Sequence, residues 1–392
     1  MKLLFRLCYL LCFFQVTADA CEAGGIKVNT DFDGASSANL LTECMIDIEN
    51  QHIRLTFQPE NTPINNSPWY AFKISSQQPQ NVSVKISIVN GSHRYHPKYS
   101  VDGKHWLPLT FTTSDEYLEF KLHSAKHPVW LAAQELITNN DYHLWAKELA
   151  THFDIKTSVL GYSVQQRPIL KLISDIPQSN KWVILVGRQH PPEVTGAMAL
   201  FSFAETLLST STLAQSFRRE HNIMILPNIN PDGVALGYWR HNANGVDLNR
   251  DWQAFKQPEV KAVDDALSEL TTKGHHIVMA VDFHSTHNDI FYTMPHDYGI
   301  KQPYLVKNWL NLLDSKYVDF NVIQRPGNNP DRGVFKQYIA DTYKVHAITY
   351  EMGDHTDRAF IKQFAVDAAN TFMQSMLTAQ HDQLHLIAKP ND

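Results

Sequence analysis

Two nearly continuous apolar runs, Trp182-Val-Ile-Leu-Val-Gly187 and Ile277-Val-Met-Ala-Val-Asp-Phe283, constrain this chain more than any other feature. Both are too short to cross a bilayer. Neither alternates, so each reads as a strand buried on both faces, which demands cover above and below. Helical runs are present to supply it: Tyr142–Ala150, Val194–Leu208 and a long amphipathic stretch from Phe360 to Gln380. A further apolar strand is expected at Asn222–Pro227. The expected fold is α/β, with a mainly parallel mixed sheet flanked by helices.

Both runs end in residues that can bind a metal. His190 and Glu193 follow the first as a His-Pro-Pro-Glu hook, and His284 terminates the second. The C-terminal ends of parallel strands are where open α/β sheets place their sites. Two imidazoles and a carboxylate leave one position of a tetrahedral zinc free for water, a set suited to hydrolysis. The hook alone says little, because the chain has 20 histidines.

The segment between Asn230 and Trp252 carries more. It contains Asn230-Pro-Asp-Gly233, Tyr238-Trp-Arg240 and Asn244-Gly-Val-Asp-Leu-Asn-Arg-Asp-Trp252, and a late glutamate follows in Ala347-Ile-Thr-Tyr-Glu-Met-Gly353. Taken singly, these are a polar loop and a strand-end glutamate. Together and in this order they resemble the zinc carboxypeptidase family. The resemblance implies one Zn²⁺ per chain held by His190, Glu193 and His284, with Glu351 as general base. It implies that Arg240 steadies the oxyanion and that Asn249 and Arg250 grip the terminal carboxylate of the substrate. A planar guanidinium suits that carboxylate through two parallel hydrogen bonds. Asp247 has two readings: it accepts a hydrogen bond from the far nitrogen of His190, fixing its tautomer, or it caps backbone amides in a turn.

The family's mobile tyrosine ahead of the catalytic glutamate has no counterpart in Gln324-Arg-Pro-Gly-Asn-Asn-Pro-Asp-Arg-Gly333. Tyr338 and Tyr343 fall in a helical pattern as packing residues, so no catalytic tyrosine is assigned. Arg332, which opens Arg332-Gly-Val-Phe-Lys-Gln-Tyr338, resembles the arginine of cytosolic carboxypeptidases that faces the side chain being removed. The alternative is a solvated arginine at a helix start.

The chain divides by texture. Residues 1–20 read as a signal peptide: Lys2 and Arg6, an apolar core, then Ala18-Asp-Ala20. Export to the periplasm or outside the cell follows, and no transmembrane span is expected. Residues 21–126 show short alternating runs, such as His52–Phe57 and Val82–Ile88, between Asn, Gly and Pro clusters, the pattern of an all-β sandwich. Trp69-Tyr-Ala-Phe72 and Arg94–Trp106 resemble the sandwich that precedes the catalytic domain of cytosolic carboxypeptidases. Residues 127–392 form the expected catalytic domain. Of 4 cysteines, Cys8 and Cys12 leave with the signal, and Cys21 and Cys44 form one candidate disulfide or remain free thiols. Cleavage before Cys21 also raises lipidation there. Asn65, Asn81 and Asn90 open Asn-x-Ser triplets, which matter in a eukaryotic secretory route.

The expected substrates are peptide or protein C-termini. A net charge of -6 gives no basic field for nucleic acid. Two alternatives stand beside the peptidase: an amidase acting on peptidoglycan peptides, and an inactive binding protein, against which the retention of all ligands and the base argues.

Overall fold

The computed structural model describes residues 19–37 and 39–387, so the expected leader through residue 18 lies outside them. The first strand, Asp19–Ala23, starts just before the expected cleavage point. Among the described residues no single helix is long and apolar enough to cross a membrane.

The N-terminal part is a sandwich of a six-stranded and a five-stranded sheet. Its strands alternate as the sequence does: Ile53, Leu55 and Phe57 of His52–Phe57 point inward, as do Val82, Val84 and Ile86 of Gln80–Ile88. These two strands run parallel, whereas the other paired strands of the sandwich are antiparallel. Val129–Ala132 lies past the division expected at 126, yet it pairs on both sides within the six-stranded sheet. Leu131, opposite Phe72 in the register, and Ala132 join the sandwich core, so the sandwich needs this strand. Cys21 and Cys44 form a disulfide that joins the edge strand of one sheet to the edge strand of the other.

The remainder is built on an eight-stranded mixed sheet. At its centre Asn222–Leu226, Lys181–Gly187, His276–Thr286 and Ala347–Gly353 run parallel, with antiparallel neighbours outside them. The unbroken apolar runs are explained by cover on both faces. Val183 and Leu185 face a cluster with Phe203, Trp309 and Phe372 from three helices. Trp182, Ile184 and Val186 face the opposite cluster, with Val260, Val263 and Ile339. Val194–Leu208 is helical as expected, and the C-terminal helix, Arg358–Ile387, is longer at both ends than expected.

Sandwich and α/β part share an interface of built contacts. Trp239 leaves the α/β part to sit in the sandwich core. Gly237 adopts φ +64°, and a Cβ there would fall 2.3 Å from the Ala35 carbonyl oxygen, so only glycine lets the two backbones meet.

Candidate metal centre and active site

His190, Glu193 and His284 converge, with a donor atom of each within 4.8 Å of the others. The three side chains are almost fully buried. Glu193 is the residue just before the Val194–Leu208 helix, where the positive end of the helix dipole favours a carboxylate. Gly196, in the first turn of that helix, sits against the His284 backbone: a Cβ there would lie 2.4 Å from the His284 carbonyl oxygen. That close approach brings hook and strand end together. Any side chain at 196 would push them apart.

The inward atoms are Nδ1 of both histidines, 2.8 Å (His190) and 2.7 Å (His284) from the two Glu193 oxygens. The outward nitrogens are each held by an aspartate. Nε2 of His190 meets Asp247 Oδ1 at 2.9 Å, and Nε2 of His284 meets Asp282 Oδ2 at 2.8 Å. Carboxylates behind both imidazoles fix the tautomer that turns a lone pair inward and raise ligand basicity. Although burial pushes the Glu193 carboxyl up, the two histidines outweigh it and hold it well below its usual range. Burial likewise disfavours a charged His284, but Asp282 and Glu193 hold its ring well above the ordinary imidazole value. The pocket is therefore organised for positive charge at its centre.

Asp247 satisfies both of its sequence readings. Oδ1 accepts from His190 and also from the Asn249 N–H at 2.9 Å, capping a short 3-10 turn, Leu248–Arg250. Oδ2 accepts from Arg240 Nε at 2.7 Å. One carboxylate thus orients a ligand and the candidate oxyanion arginine together. Asp282 was not singled out in the sequence, although strand alternation puts it on the same face as His284 two residues on. Gln189 donates to Asp282 at 2.6 Å and accepts from Trp252 at 2.9 Å, tying the ligand's support to the core.

Glu351 lies opposite His284 in the parallel register of the two central strands. Its Oε2 is enclosed and has no hydrogen-bond partner. Burial pushes the carboxyl up to about 8, against the opposing charge of His284. An enclosed carboxyl oxygen without a protein partner costs stability, and such groups cluster at reactive sites.

Arg240, Asn249, Arg250 and Arg332 line the same cavity as the triad and Glu351. Asn249 Oδ1 accepts from the Phe335 N–H at 2.9 Å, and its amide nitrogen lies 3.5 Å from His284 Nε2. Arg332 is exposed. Its neighbour Gly333, at φ +58°, rests on the Arg250 backbone, where a Cβ would come within 2.5 Å of the Arg250 oxygen. Arg332 is thereby brought beside Arg250. Tyr338 and Tyr343 pack as expected, Tyr338 stacking on Trp252 at 5.4 Å and donating to Asp264. Tyr292, on the Ile290–Thr293 strand, does line the cavity, as do Lys336 and, from the sandwich, Arg94. Arg94 pairs with Asp354 at 2.8 Å and donates to the Ser285 carbonyl at 3.3 Å.

The donor set fits zinc: two imidazole nitrogens and one carboxylate, backed by aspartates, with space for a fourth ligand on the cavity side. Fold and site together define a zinc-dependent peptide hydrolase of carboxypeptidase architecture. The chain belongs to the zinc carboxypeptidase family, which matches residues 142–376, and the cytosolic carboxypeptidase N-terminal domain matches residues 28–133. Among relatives, an uncharacterised protein of Zymomonas mobilis is 23% identical over 86% of this chain and 91% of its own length. Cytosolic carboxypeptidase 6 of Caenorhabditis elegans is 29% identical over 49% of this chain and 42% of its own, so the chain spans less than half of that relative. A metallo-carboxypeptidase from Burkholderia cenocepacia superposes with a TM-score of 0.75 at 18% identity, covering 91% of this chain and 99% of that one. One from Pseudomonas aeruginosa gives 0.71 at 21% identity over 90% and 99%. At such identities the solved structures speak for the fold alone.

Proposed function

We propose that the protein removes residues from the C-termini of peptides or proteins and prefers acidic ones. The observation that carries this reading is the placement of Asn249, Arg250 and Arg332 in the cavity that holds the ligand triad and Glu351. A carboxylate grip beside the reacting centre makes a peptidase act at chain ends rather than within chains. Bound to His190, Glu193 and His284, zinc supplies Lewis acidity toward water and the scissile carbonyl. Glu351 accepts the proton of the attacking water as the C–O bond forms, and returns it to the amine as the C–N bond breaks. Arg240, held by Asp247, faces the charge that develops on the carbonyl oxygen. Arg250 takes the terminal carboxylate, and Arg332 beside it meets an acidic side chain.

The protein is proposed to act after export, in the periplasm or outside the cell. The Cys21–Cys44 bridge supports an oxidising compartment. Lipidation at Cys21 is disfavoured by the same bridge.

The test is a product profile by mass spectrometry from a C-terminally randomised peptide library, with a muropeptide assayed in parallel. Release of single C-terminal residues, Glu and Asp fastest, is expected, and Arg332→Ala should abolish the preference with zinc content unchanged. Comparable kcat/KM values for peptides ending in Glu, Leu and Lys would remove the Arg332 pocket. Cleavage of the muropeptide alone would favour an amidase, and no cleavage of either substrate a binding protein.

A further inference from the structure

The sandwich contributes a buried glutamate to the backbone that carries the oxyanion arginine. Glu60 Oε2 accepts from the Trp239 N–H at 2.8 Å, and Oε1 accepts from the Arg240 N–H at 2.9 Å and the His241 N–H at 2.8 Å. His241 Nδ1 lies 3.0 Å from Oε1, and the Glu60 side chain is 2% exposed. The next residue, Asn61, donates to the Gly245 carbonyl at 3.1 Å, two residues before Asp247. Trp239 anchors the same segment from the other side, in the sandwich core.

A buried carboxylate is retained only when its partners offset desolvation. Three consecutive N–H groups and an imidazole do so here. Burial pushes the Glu60 carboxyl up, yet the His241 ring and the His241 and Trp239 N–H groups outweigh it and hold it below its usual value. Consecutive N–H groups aimed at one carboxylate fix both ends of the Arg240 peptide unit, and hence the direction of its side chain. The main-chain N–H groups of Trp239, Arg240 and His241 all point at Glu60, while from the α/β part Asp247 holds the Arg240 side chain and Asn230 donates to the His241 carbonyl.

We infer that Glu60 is a positioning residue for Arg240, so that the sandwich is a working part of the catalytic centre. This rests on the peptidase reading above. Arg240 is exploited as charge develops on the carbonyl oxygen, so a loosened Arg240 lowers turnover more than substrate binding.

The experiment uses the full-length zinc-loaded enzyme, with Glu60→Gln, Arg240→Ala and the double variant, a C-terminal-residue release assay, metal analysis and thermal melting. Release of C-terminal residues by the wild type tests the peptidase reading, and the variants test the inference. Glu60→Gln should lower kcat about 10- to 100-fold, with KM within about twofold and about one zinc per chain, since removal of a single oxyanion donor costs about 10²–10³. In the Arg240→Ala background Glu60→Gln should cost less than about twofold, because its effect passes through the missing side chain. If Glu60→Gln yields no soluble protein, Glu60→Asp, one methylene short of the three N–H groups, is read in the same way. A lowered Tm with unchanged kcat per folded molecule would overturn the inference. So would an equal loss of kcat in both backgrounds.

Discussion

Asp247→Asn separates two functions that one carboxylate performs. Asp247 has three donors to satisfy: His190 Nε2 and the Asn249 N–H on Oδ1, and Arg240 Nε on Oδ2. An asparagine keeps one acceptor oxygen. Placed toward His190 and the Asn249 amide, it retains two of the three hydrogen bonds and turns an NH₂ toward Arg240, donor against donor. Arg240 is 11% exposed, so the loss leaves a nearly buried guanidinium unpaired, for which breaking a buried ion pair costs about 3–5 kcal/mol. The arginine therefore swings away while His190 keeps its tautomer. Turnover should fall about 10²- to 10³-fold, as for loss of one oxyanion donor, while zinc affinity weakens by no more than the roughly 10-fold lower end for an outer partner of a ligand. Asp247→Ala removes both supports and should weaken zinc by up to about 100-fold as well. Chelator competition gives the zinc affinity, and kcat at saturating zinc gives the turnover. Full recovery of Asp247→Asn turnover on adding zinc would refute the reasoning, since the loss would then lie in the metal and not in Arg240.

Glu351→Gln should retain about one zinc per chain by metal analysis and lose about 10²- to 10⁴-fold in turnover, as expected of a positioned general base. Near-normal hydrolysis would remove Glu351 from that role. Opening the Cys21–Cys44 bridge by Cys44→Ala frees a loop of sequence separation 23, which in the chain-entropy model lowers stability by about 3 kcal/mol, with kcat unchanged. Urea unfolding reads this, and a change below about 0.5 kcal/mol would count against the model. His221 is buried and its ring is pushed by that burial down to about 4 from 6.5. The unfolded chain takes up a proton as pH falls through 6.5 and the folded chain does so only near 4, so stability present above 6.5 is lost on acidification. Between pH 7 and pH 5 the loss from this group is about 2 kcal/mol, and His221→Phe should remove that part of the pH dependence. Identical pH slopes for the two proteins would rule it out.

The ligands were legible because they close apolar runs whose lack of alternation already marked them as central strands. The sandwich was legible from alternation, except at Val129–Ala132, a strand of 4 residues too short to show a period and lying just past the change of texture at 127. Asp282 was within reach of the same periodicity argument. Arg94 and Glu60 were not, because their partners lie 260 and 180 residues away and no local spacing encodes a contact between separate β and α/β layers. Tyr292 depends on the antiparallel placement of its strand beside Ala347–Gly353, which pairing and not sequence pattern decides. Both readings of Asp247 hold because one oxygen, Oδ1, meets His190 and the Asn249 amide together, and Oδ2 is left for Arg240, which local spacing does not reveal.

His284 and Glu351 sit side by side on paired central strands, whereas Asn249, Arg250 and Arg332 sit in a 3-10 turn and a loop outside the sheet. Central strands open only with the whole domain, while loops tolerate substitution and local rearrangement. Hydrolytic chemistry is thereby insulated from selection on substrate choice. On the proposed reading, descendants of such a chain can exchange one C-terminal preference for another through changes at 329–334, while the carboxylate grip at 249–250 and the strand-borne ligands stay fixed.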